Sequence, residues 1–154
     1  MSHITRPVVD AFQYLIEDHV NISNLLQELD STTEETTASR HRLFALIDKG
    51  LSVHAELEEE ILYPTLESLE ETHEMTMESY EEHHVMKMLL EELNITDIES
   101  DDWIAKFSVL KENVEHHVSE EEEKLIPEAT KILSQDELKT LADQIEDWLV
   151  HRGI

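Results

Sequence analysis

The sequence contains two histidine–glutamate pairs whose partners are four positions apart. His54 precedes Glu58 in LSVHAELEEEILYP, and His117 precedes Glu121 in VEHHVSEEEEKLIP. On an α-helix, residues four apart lie one above the other on a single face. The apolar residues near each pair recur at the same helical spacing, so both pairs are predicted to point inward. Because a buried carboxylate is costly unless it is paired or bound to a metal, each pair looks like half of a metal site.

Two prolines set the register of these pairs. The first pair lies ten and six residues before Pro64. The same offsets before Pro127 select His117 and Glu121 rather than the neighbouring His116. Both pairs therefore occupy equivalent positions on their helices.

An internal repeat adds one histidine to each pair. Residues 17–29 (EDHVNISNLLQEL) align without a gap with residues 81–93 (EEHHVMKMLLEEL), which matches His19 to His83 and favours His83 over His84 as the inward residue. Each half of the chain is thus predicted to be a helix with one inward histidine, a loop, and a helix with an inward pair. Neither half can bury its apolar stripe alone, so the halves are predicted to pack as a four-helix bundle.

Each of these features has an ordinary structural explanation when it is taken alone. One histidine on an apolar stripe is more often a hydrogen-bonded core residue than a ligand, and one histidine–glutamate pair is often a simple side-chain interaction on a helix. The two pairs, the two matched histidines and the repeat together favour a metal site. Its predicted ligands are His19, His54, Glu58, His83, His117 and Glu121.

The ligand types restrict the metal. Imidazole and carboxylate without sulfur suit iron, zinc, copper or nickel. Four histidines and two glutamates are enough for two ions, each held by two histidines and both bridged by the carboxylates. Two carboxylates with one hydroxide nearly neutralise two divalent ions, and such a site leaves coordination positions for water, dioxygen, peroxide or nitric oxide.

The composition excludes several other functions. The chain of 154 residues has a net charge of −26 with 11 basic residues, so binding to a nucleic-acid backbone is not expected. It contains no cysteine, which excludes disulfides, iron–sulfur clusters and thiolate zinc sites. Without a membrane-spanning apolar run or a secretory signal, a cytoplasmic protein is predicted. The acidity is interpreted as a solvated surface.

Residues 1–154 are predicted to form one all-α domain with few interruptions, since the chain has only two glycines and three prolines. An up-down four-helix bundle is expected over about 8–130, followed by an additional C-terminal amphipathic helix over about 134–151. The first bundle helix is predicted to begin near Pro7. The other three are predicted to cover about 36–64, 72–93 and 101–127.

Capping patterns and apolar stripes complete this prediction. Ser31 with Glu34, and Ser134 with Glu137, have the spacing of capping boxes. The predicted core positions are Val8, Phe12, Leu15, His19, Ile22, Leu26 and Leu29 in the first helix, Leu43, Ile47, Leu51, His54, Glu58 and Ile61 in the second, His83, Met86, Leu90 and Leu93 in the third, Ile104, Phe107, Leu110, Val114, His117 and Glu121 in the fourth, and Leu138, Leu141, Ile145 and Trp148 in the last.

The other histidines are interpreted as residues of the surface or of the outer layer around the ligands. They are His3, His41, His73, His84, His116 and His151. Met86 is interpreted as a core methionine, with the lining of a gas path as the alternative.

The sequence resembles the hemerythrin-like proteins with HHE cation-binding motifs. The likeness spans about residues 8–130 and rests on the two single histidines, on the first pair with the following LYP, and on the second pair with LIP. The resemblance implies an up-down bundle that holds a non-haem centre of two iron ions (Fe2+/Fe3+), bridged by the two glutamates and an oxo or hydroxo group. Activities in this family include oxygen transport and storage, sensing of oxygen or nitric oxide, iron handling and peroxide breakdown.

The sequence departs from the oxygen-carrying members at two positions. Those proteins carry a second histidine four after the third-helix histidine, where this chain has Lys87, and an aspartate five after the last histidine, where it has Glu122. The ligand pattern is thus closer to the subgroup H-HxxxE-H-HxxxE. Reversible oxygen carriage is not expected, because one iron has one histidine fewer.

Three hypotheses follow from the sequence. The first is a di-iron binding protein that reacts with dioxygen, nitric oxide or peroxide as a sensor, store or scavenger. The second is an enzyme of the oxidoreductase class, which disproportionates peroxide or oxidises a substrate at an exposed iron. The third is a structural bundle, metal-free or zinc-bound, that acts through its acidic surface. The sequence contains no substrate-pocket signature that chooses between the first two.

Overall fold

The computed structural model describes Val8, residues 10–32 and residues 37–154, and these residues form helices and no strand. The helices are α1 (Ala11–Asp30), α2 (Thr37–Leu57), α3 (Tyr63–Glu67), α4 (Glu70–Ile95), α5 (Asp101–Glu120), α6 (Ile126–Ile132) and α7 (Gln135–His151). Two π-helical turns, Glu58–Leu62 and Glu121–Leu125, join α2 to α3 and α5 to α6. The predicted all-α class is confirmed.

The four long helices form an antiparallel bundle of two hairpins. Helices α1 and α2 pack closely along their length, as do α4 and α5. The hairpins meet along two looser seams, one between α1 and α5 and the other between α2 and α4. Helix α7 packs against α1 and the first π-helical turn, so the predicted bundle with an additional C-terminal helix is confirmed.

Side-chain caps fix several helix ends. The Asp10 carboxylate accepts hydrogen bonds from the backbone N–H groups of Phe12 and Gln13, so α1 begins at Ala11 and the predicted start near Pro7 is wrong. Pro7 itself lies outside the described residues, as does Glu34 of one predicted capping box. The other box is confirmed at the start of α7, where Ser134 and Glu137 cap each other's backbone N–H groups.

The prolines explain why α2 and α5 are each followed by a π-helical turn. In a regular α-helix the Pro64 ring would meet the Glu60 carbonyl, and no N–H would bond that carbonyl. The π-helical turn widens the helix before the proline. In it the Tyr63 N–H donates to the Glu58 carbonyl, five residues back, rather than to a carbonyl four residues back. Pro64 is then an early residue of α3, where a missing N–H costs little. An equivalent turn precedes Pro127. The prediction that the fourth helix ends at this proline is therefore wrong, because the helical chain continues as α6.

The core has two apolar clusters at opposite ends of the bundle. The predicted core stripe of α1 is buried throughout. The core prediction is wrong at Ile104, which is 42% exposed while Trp103 is 1% exposed. Three other predicted core residues, Ile61, Leu138 and Trp148, are only half-buried, whereas Tyr63 is buried. The Trp103 ring stacks on Phe107 and its indole N–H donates to a backbone carbonyl of α4. The π-helical turn rotates Tyr63 inward at the expense of Ile61.

None of the helices among the described residues is long and apolar enough to cross a membrane.

A buried arginine connects the two loops at the end of the bundle where α1 meets α2. The Arg40 guanidinium donates to the Thr32 hydroxyl at 3.1 Å, to the Thr32 carbonyl at 3.3 Å and to the Ile98 carbonyl at 3.1 Å.

Replacing Arg40 leaves these buried or partly buried acceptors without donors. We expect Arg40→Met to lower the free energy of unfolding by about 1–3 kcal/mol, measured by urea denaturation. Arg42→Met is the control, because Arg42 is exposed and its loss changes the net charge equally. Equal losses in both variants would contradict the role of Arg40.

Candidate metal centre

The six predicted ligands converge at the middle of the bundle, and all six are buried. Helices α1 and α4 each supply one histidine, and α2 and α5 each supply one histidine followed by a glutamate in the π-helical turn. The Nε2 atoms of His19 and His54 are 3.1 Å apart, and those of His83 and His117 are 3.2 Å apart. The register chosen from the repeat therefore places the four histidines in one layer.

The glutamates connect the two histidine pairs. Glu58 Oε1 lies 3.1 Å from His54 Nε2 and 3.3 Å from His83 Nε2. Glu121 Oε1 lies 3.2 Å from His19 Nε2, and its Oε2 lies 3.3 Å from His117 Nε2. Each carboxylate thus faces one histidine of each hairpin, which is the arrangement of a bridging ligand.

Two overlapping groups have the spacing of metal ligands. One consists of His19, His54, Glu58 and Glu121, and the other of Glu58, His83 and His117. Ligand atoms about 2.1 Å from one ion lie about 3.0–3.4 Å apart at adjacent octahedral or tetrahedral positions. The observed separations of 3.1–3.3 Å agree with this. Glu58 belongs to both groups, so the arrangement has room for two ions that share this carboxylate.

Unsatisfied polar atoms support a bound cation. Both carboxylate oxygens of Glu58 and one of Glu121 are buried without a hydrogen-bond partner among the described residues. The nearest imidazole nitrogens lie 3.1–3.3 Å from the Oε1 atoms of these two carboxylates. A carboxylate without partners in an apolar interior is strongly unfavourable. The residues present therefore fit a metal.

Two carboxylates hold the outer nitrogens of the paired histidines. Asp18 Oδ2 lies 2.6 Å from His54 Nδ1, and Glu82 Oε1 lies 2.8 Å from His117 Nδ1. Such partners fix the ring orientation and leave Nε2 free for a metal. Sequence reasoning missed both, although the signal was present: an acidic residue directly precedes His19 and His83 in each repeat.

Tyr63 is a further residue that sequence reasoning missed. Its hydroxyl donates to Glu121 Oε2 at 2.8 Å and lies 3.3 Å from His83 Nε2 and 3.4 Å from His117 Nε2. The phenol ring stacks on the His83 imidazole. Its only sequence signal is the LYP that follows the first pair. Tyr63 thus adds an oxygen atom to the ligand cluster on its α7 side.

Without metal, protons balance the buried carboxylates. Burial alone would lower the pKa of His54, but the carboxylates beside it raise that pKa well above its usual value. Burial is likewise outweighed at His117, whose pKa rises from 6.5 to about 10 because of hydrogen bonds to Glu121 and Glu82. Burial and the charges of Glu121 and Glu58 raise the pKa of Tyr63 well above its usual value, so its hydroxyl keeps its proton.

The described histidines outside the cluster, His41, His73, His84, His116 and His151, are all exposed. The outer residue His3 lies outside the described part of the chain. Lys87, which replaces the extra histidine of the oxygen carriers, does not approach the ligands with its ammonium. It forms an ion pair with Glu59 at 2.8 Å instead.

Comparison with known families agrees with this geometry. The family model of the hemerythrin HHE cation-binding domain matches residues 10–129, a range that contains all six clustered residues. The chain belongs to the hemerythrin HHE family. The match ends before α7.

A solved structure has the same hemerythrin-like fold. It is a hemerythrin HHE cation-binding domain-containing protein from Mycobacterium kansasii, a homolog of Rv2633c. The two chains superpose with a TM-score of 0.77 at 24% identity, over 93% of this chain and 86% of the other. At this identity the comparison shows the fold alone. A comparison with curated proteins finds no match.

Adjacent histidines provide matched tests of the ligand assignment. We expect His83→Ala and His117→Ala to reduce bound metal from about two ions per chain to one or fewer, whereas His84→Ala and His116→Ala retain it, because those side chains are exposed. Metal quantification on the purified variants measures the difference. Metal loss in the exposed-histidine variants with retention in the buried-histidine variants would show that the register is wrong.

The raised pKa of His117 predicts a pH-dependent effect of metal. Its protonated form stabilises the metal-free fold fully below about pH 6.5, and this contribution is lost as the pH rises toward about 10. Metal requires neutral imidazoles, so it must displace these protons at low pH. We expect the increase in Tm on adding Zn2+ to grow between about pH 6 and about pH 8. An increase that is the same across this range would contradict proton displacement at the site.

Proposed function

We propose that this hemerythrin-family protein binds two iron ions with a bridging oxo or hydroxo group. In this proposal His19 and His54 would hold one ion, His83 and His117 would hold the other, and the carboxylates of Glu58 and Glu121 would complete the ligands of both. The observation that carries the proposal is the position of Glu58, which belongs to both ligand groups. Iron in such a centre supplies electron transfer to dioxygen, nitric oxide or peroxide.

A small cavity next to the ligands suits these molecules. It has a volume of about 20 Å³ and is lined by all four cluster histidines and by apolar residues that include Leu51, Met86 and Val114. A cavity of about 10–15 Å³ is enough for one water-sized molecule. The space is therefore of a size for one small molecule such as dioxygen, nitric oxide or peroxide. Met86 is both a core residue and a lining residue of this cavity, so both interpretations of it apply.

The ligand cluster has different surroundings on its two sides. On the cavity side, the space beside the histidines is lined by apolar side chains together with Glu82 and Asn113. On the other side, the Tyr63 hydroxyl is hydrogen-bonded to Glu121 and can hold a proton there. This hydroxyl also lies 3.3 Å from His83 Nε2 and 3.4 Å from His117 Nε2, so a proton held there is within the ligand cluster.

The proposed role is a scavenger or sensor rather than a reversible carrier. The second ligand group contains two histidines and Glu58, and the position of the carriers' extra histidine is occupied by Lys87. A protonated ammonium has no lone pair for a metal, and here it is paired with Glu59. An iron with fewer histidines is more open to exchange. The same openness favours an alternative in which the protein is an oxidoreductase that disproportionates peroxide.

The proposal can be tested in two steps. Metal analysis and the optical spectrum of the aerobic protein come first, and we expect about two irons per chain with near-ultraviolet absorption of a bridged di-ferric centre. Zinc or no metal, with a colourless protein, would contradict the iron assignment. That result would favour the structural bundle.

The second step distinguishes scavenging from carriage. The reduced protein is mixed with oxygenated buffer in a stopped-flow instrument and then purged with inert gas. We expect one lasting change to the di-ferric spectrum, because the centre lacks the extra histidine. Recovery of the starting spectrum on purging would show reversible carriage and contradict both the scavenger and the enzyme. Slow consumption of added peroxide by the di-ferric protein would favour the enzyme.

A further inference from the structure

The two seams between the hairpins are equivalent in the repeat but differ in chemistry. On the α2–α4 seam, Lys87 lies four residues after His83, and its ammonium binds Glu59 at 2.8 Å. On the α1–α5 seam, the equivalent position four residues after His19 is Ser23. The basic side chain that covers one seam is thus replaced by a small hydroxyl on the other.

The α1–α5 seam contains an open cleft of about 260 Å³ with His19 in its lining. Its other polar lining residues are Ser23, Glu115, Ser119, Glu122 and Glu123. The described lining includes no lysine or arginine. Lys111 neutralises Glu115 at 3.2 Å, but no described lysine or arginine pairs with Glu122 or Glu123. The cleft therefore has uncompensated negative charge.

A buried ligand atom faces this charge. His19 is 3% exposed, and its Nδ1 has no hydrogen-bond partner among the described residues. The nearest carboxylate oxygen, Glu122 Oε2, is 3.7 Å away, which is too far for a hydrogen bond. The opposite nitrogen of the same ring, Nε2, lies in the metal cluster, 3.1 Å from His54 Nε2. One imidazole thus connects the cleft to the centre.

We propose that the α1–α5 cleft is the entry site for the divalent metal ion. Glu122 and Glu123 attract the ion from solution, and Glu122 with His19 Nδ1 binds it transiently before it passes to the inner ligands. Once the centre is filled, His19 Nε2 is occupied and Nδ1 retains a proton directed toward Glu122. This inference rests on the proposed metal function and adds the path by which the metal arrives.

The charge distribution favours this seam over the other. A net charge of −26 attracts cations to the whole surface, so selectivity must come from local features. A concave cleft with carboxylates and low-dielectric walls concentrates cations more than an open surface does. On the α2–α4 seam, the ammonium of Lys87 cancels the charge of Glu59 and repels an approaching ion. The asymmetry at Ser23 and Lys87 therefore selects one entrance.

The test measures the rate of metal uptake. Metal-free full-length protein is mixed with Co2+, whose visible absorption reports occupation of the inner ligands. We expect Ser23→Lys to slow uptake by about tenfold or more while the final cobalt content is unchanged, because position 23 lies in the cleft and not among the inner ligands. The matched control is Asn24→Lys, which adds the same charge on an exposed position of α1 and should load at the wild-type rate.

Two further variants make the test independent of one substitution. Lys87→Ser opens the second seam and should not slow uptake. Glu123→Gln should slow uptake and weaken its dependence on ionic strength, whereas Glu112→Gln, at an exposed position of α5 outside the cleft, should not. Far-ultraviolet circular dichroism and Tm of the metal-free variants establish that each is folded.

The outcomes separate the entry site from the proposed function. If Ser23→Lys and Glu123→Gln load at the wild-type rate, the cleft is not the entrance, although the metal centre stands. If Lys87→Ser loads faster than the wild type while Ser23→Lys loads at the wild-type rate, the ion enters by the other seam. If the wild-type protein binds no cobalt at all, the proposed metal function fails and the entry site fails with it.

Discussion

The burial of two carboxylates at the centre of the bundle is the constraint on which the rest of the structure depends. Glu58 is 0% exposed and Glu121 is 1% exposed, and an isolated carboxylate in such a place would not stay ionised. Positive charge must accompany it. In the metal-free protein the charge comes from protons on His54 and His117, whose pKa values are raised. A bound metal cation would replace these protons, so the same geometry suits both states.

This charged layer divides the apolar core into two clusters. One is formed by residues of the π-helical turns, α3, α6 and α7 with the start of α1, and the other by the helical halves that lead to the loops. Each cluster excludes water from one side of the ligands. The π-helical turns lie at the boundary, where they begin at the two glutamates. A π-helical turn at a functional site is a recurring feature of proteins, and here a proline six residues after each glutamate provides the physical cause.

The sequence predicted the bundle and the convergence of the six residues because these depend on helical spacing and on a repeat. His83 and His117 are buried and their neighbours His84 and His116 are exposed, as predicted, because the repeat and the prolines supply a register that a single periodicity does not. Tyr63 could not be found in this way. It lies nine residues after His54, which on a helix of about 3.6 residues per turn is the opposite face. Only the extra width of the π-helical turn brings it to the cluster.

Other failures have local causes. Ile104 and Trp103 are adjacent, and both fit a stripe within the tolerance of a helical pattern. Packing of the larger ring against Phe107 and Phe44 decides between them. The start of α1 depends on a carboxylate cap at Asp10, which prevailed over the preference of proline for the first turn.

The two tryptophans lie at opposite ends of the bundle, so the fluorescence of each reports on the structure around one end. Trp103 is buried near the loops, 1% exposed, and its indole N–H binds a backbone carbonyl of α4. Trp148 lies in α7, where its indole N–H donates to Glu60 of the first π-helical turn and the Arg152 guanidinium lies 3.9 Å above its ring. These environments differ in polarity, so their fluorescence should differ in wavelength. Detachment of α7 would change the emission of Trp148 and leave that of Trp103 unaltered, which makes local opening beside the metal centre visible without any label.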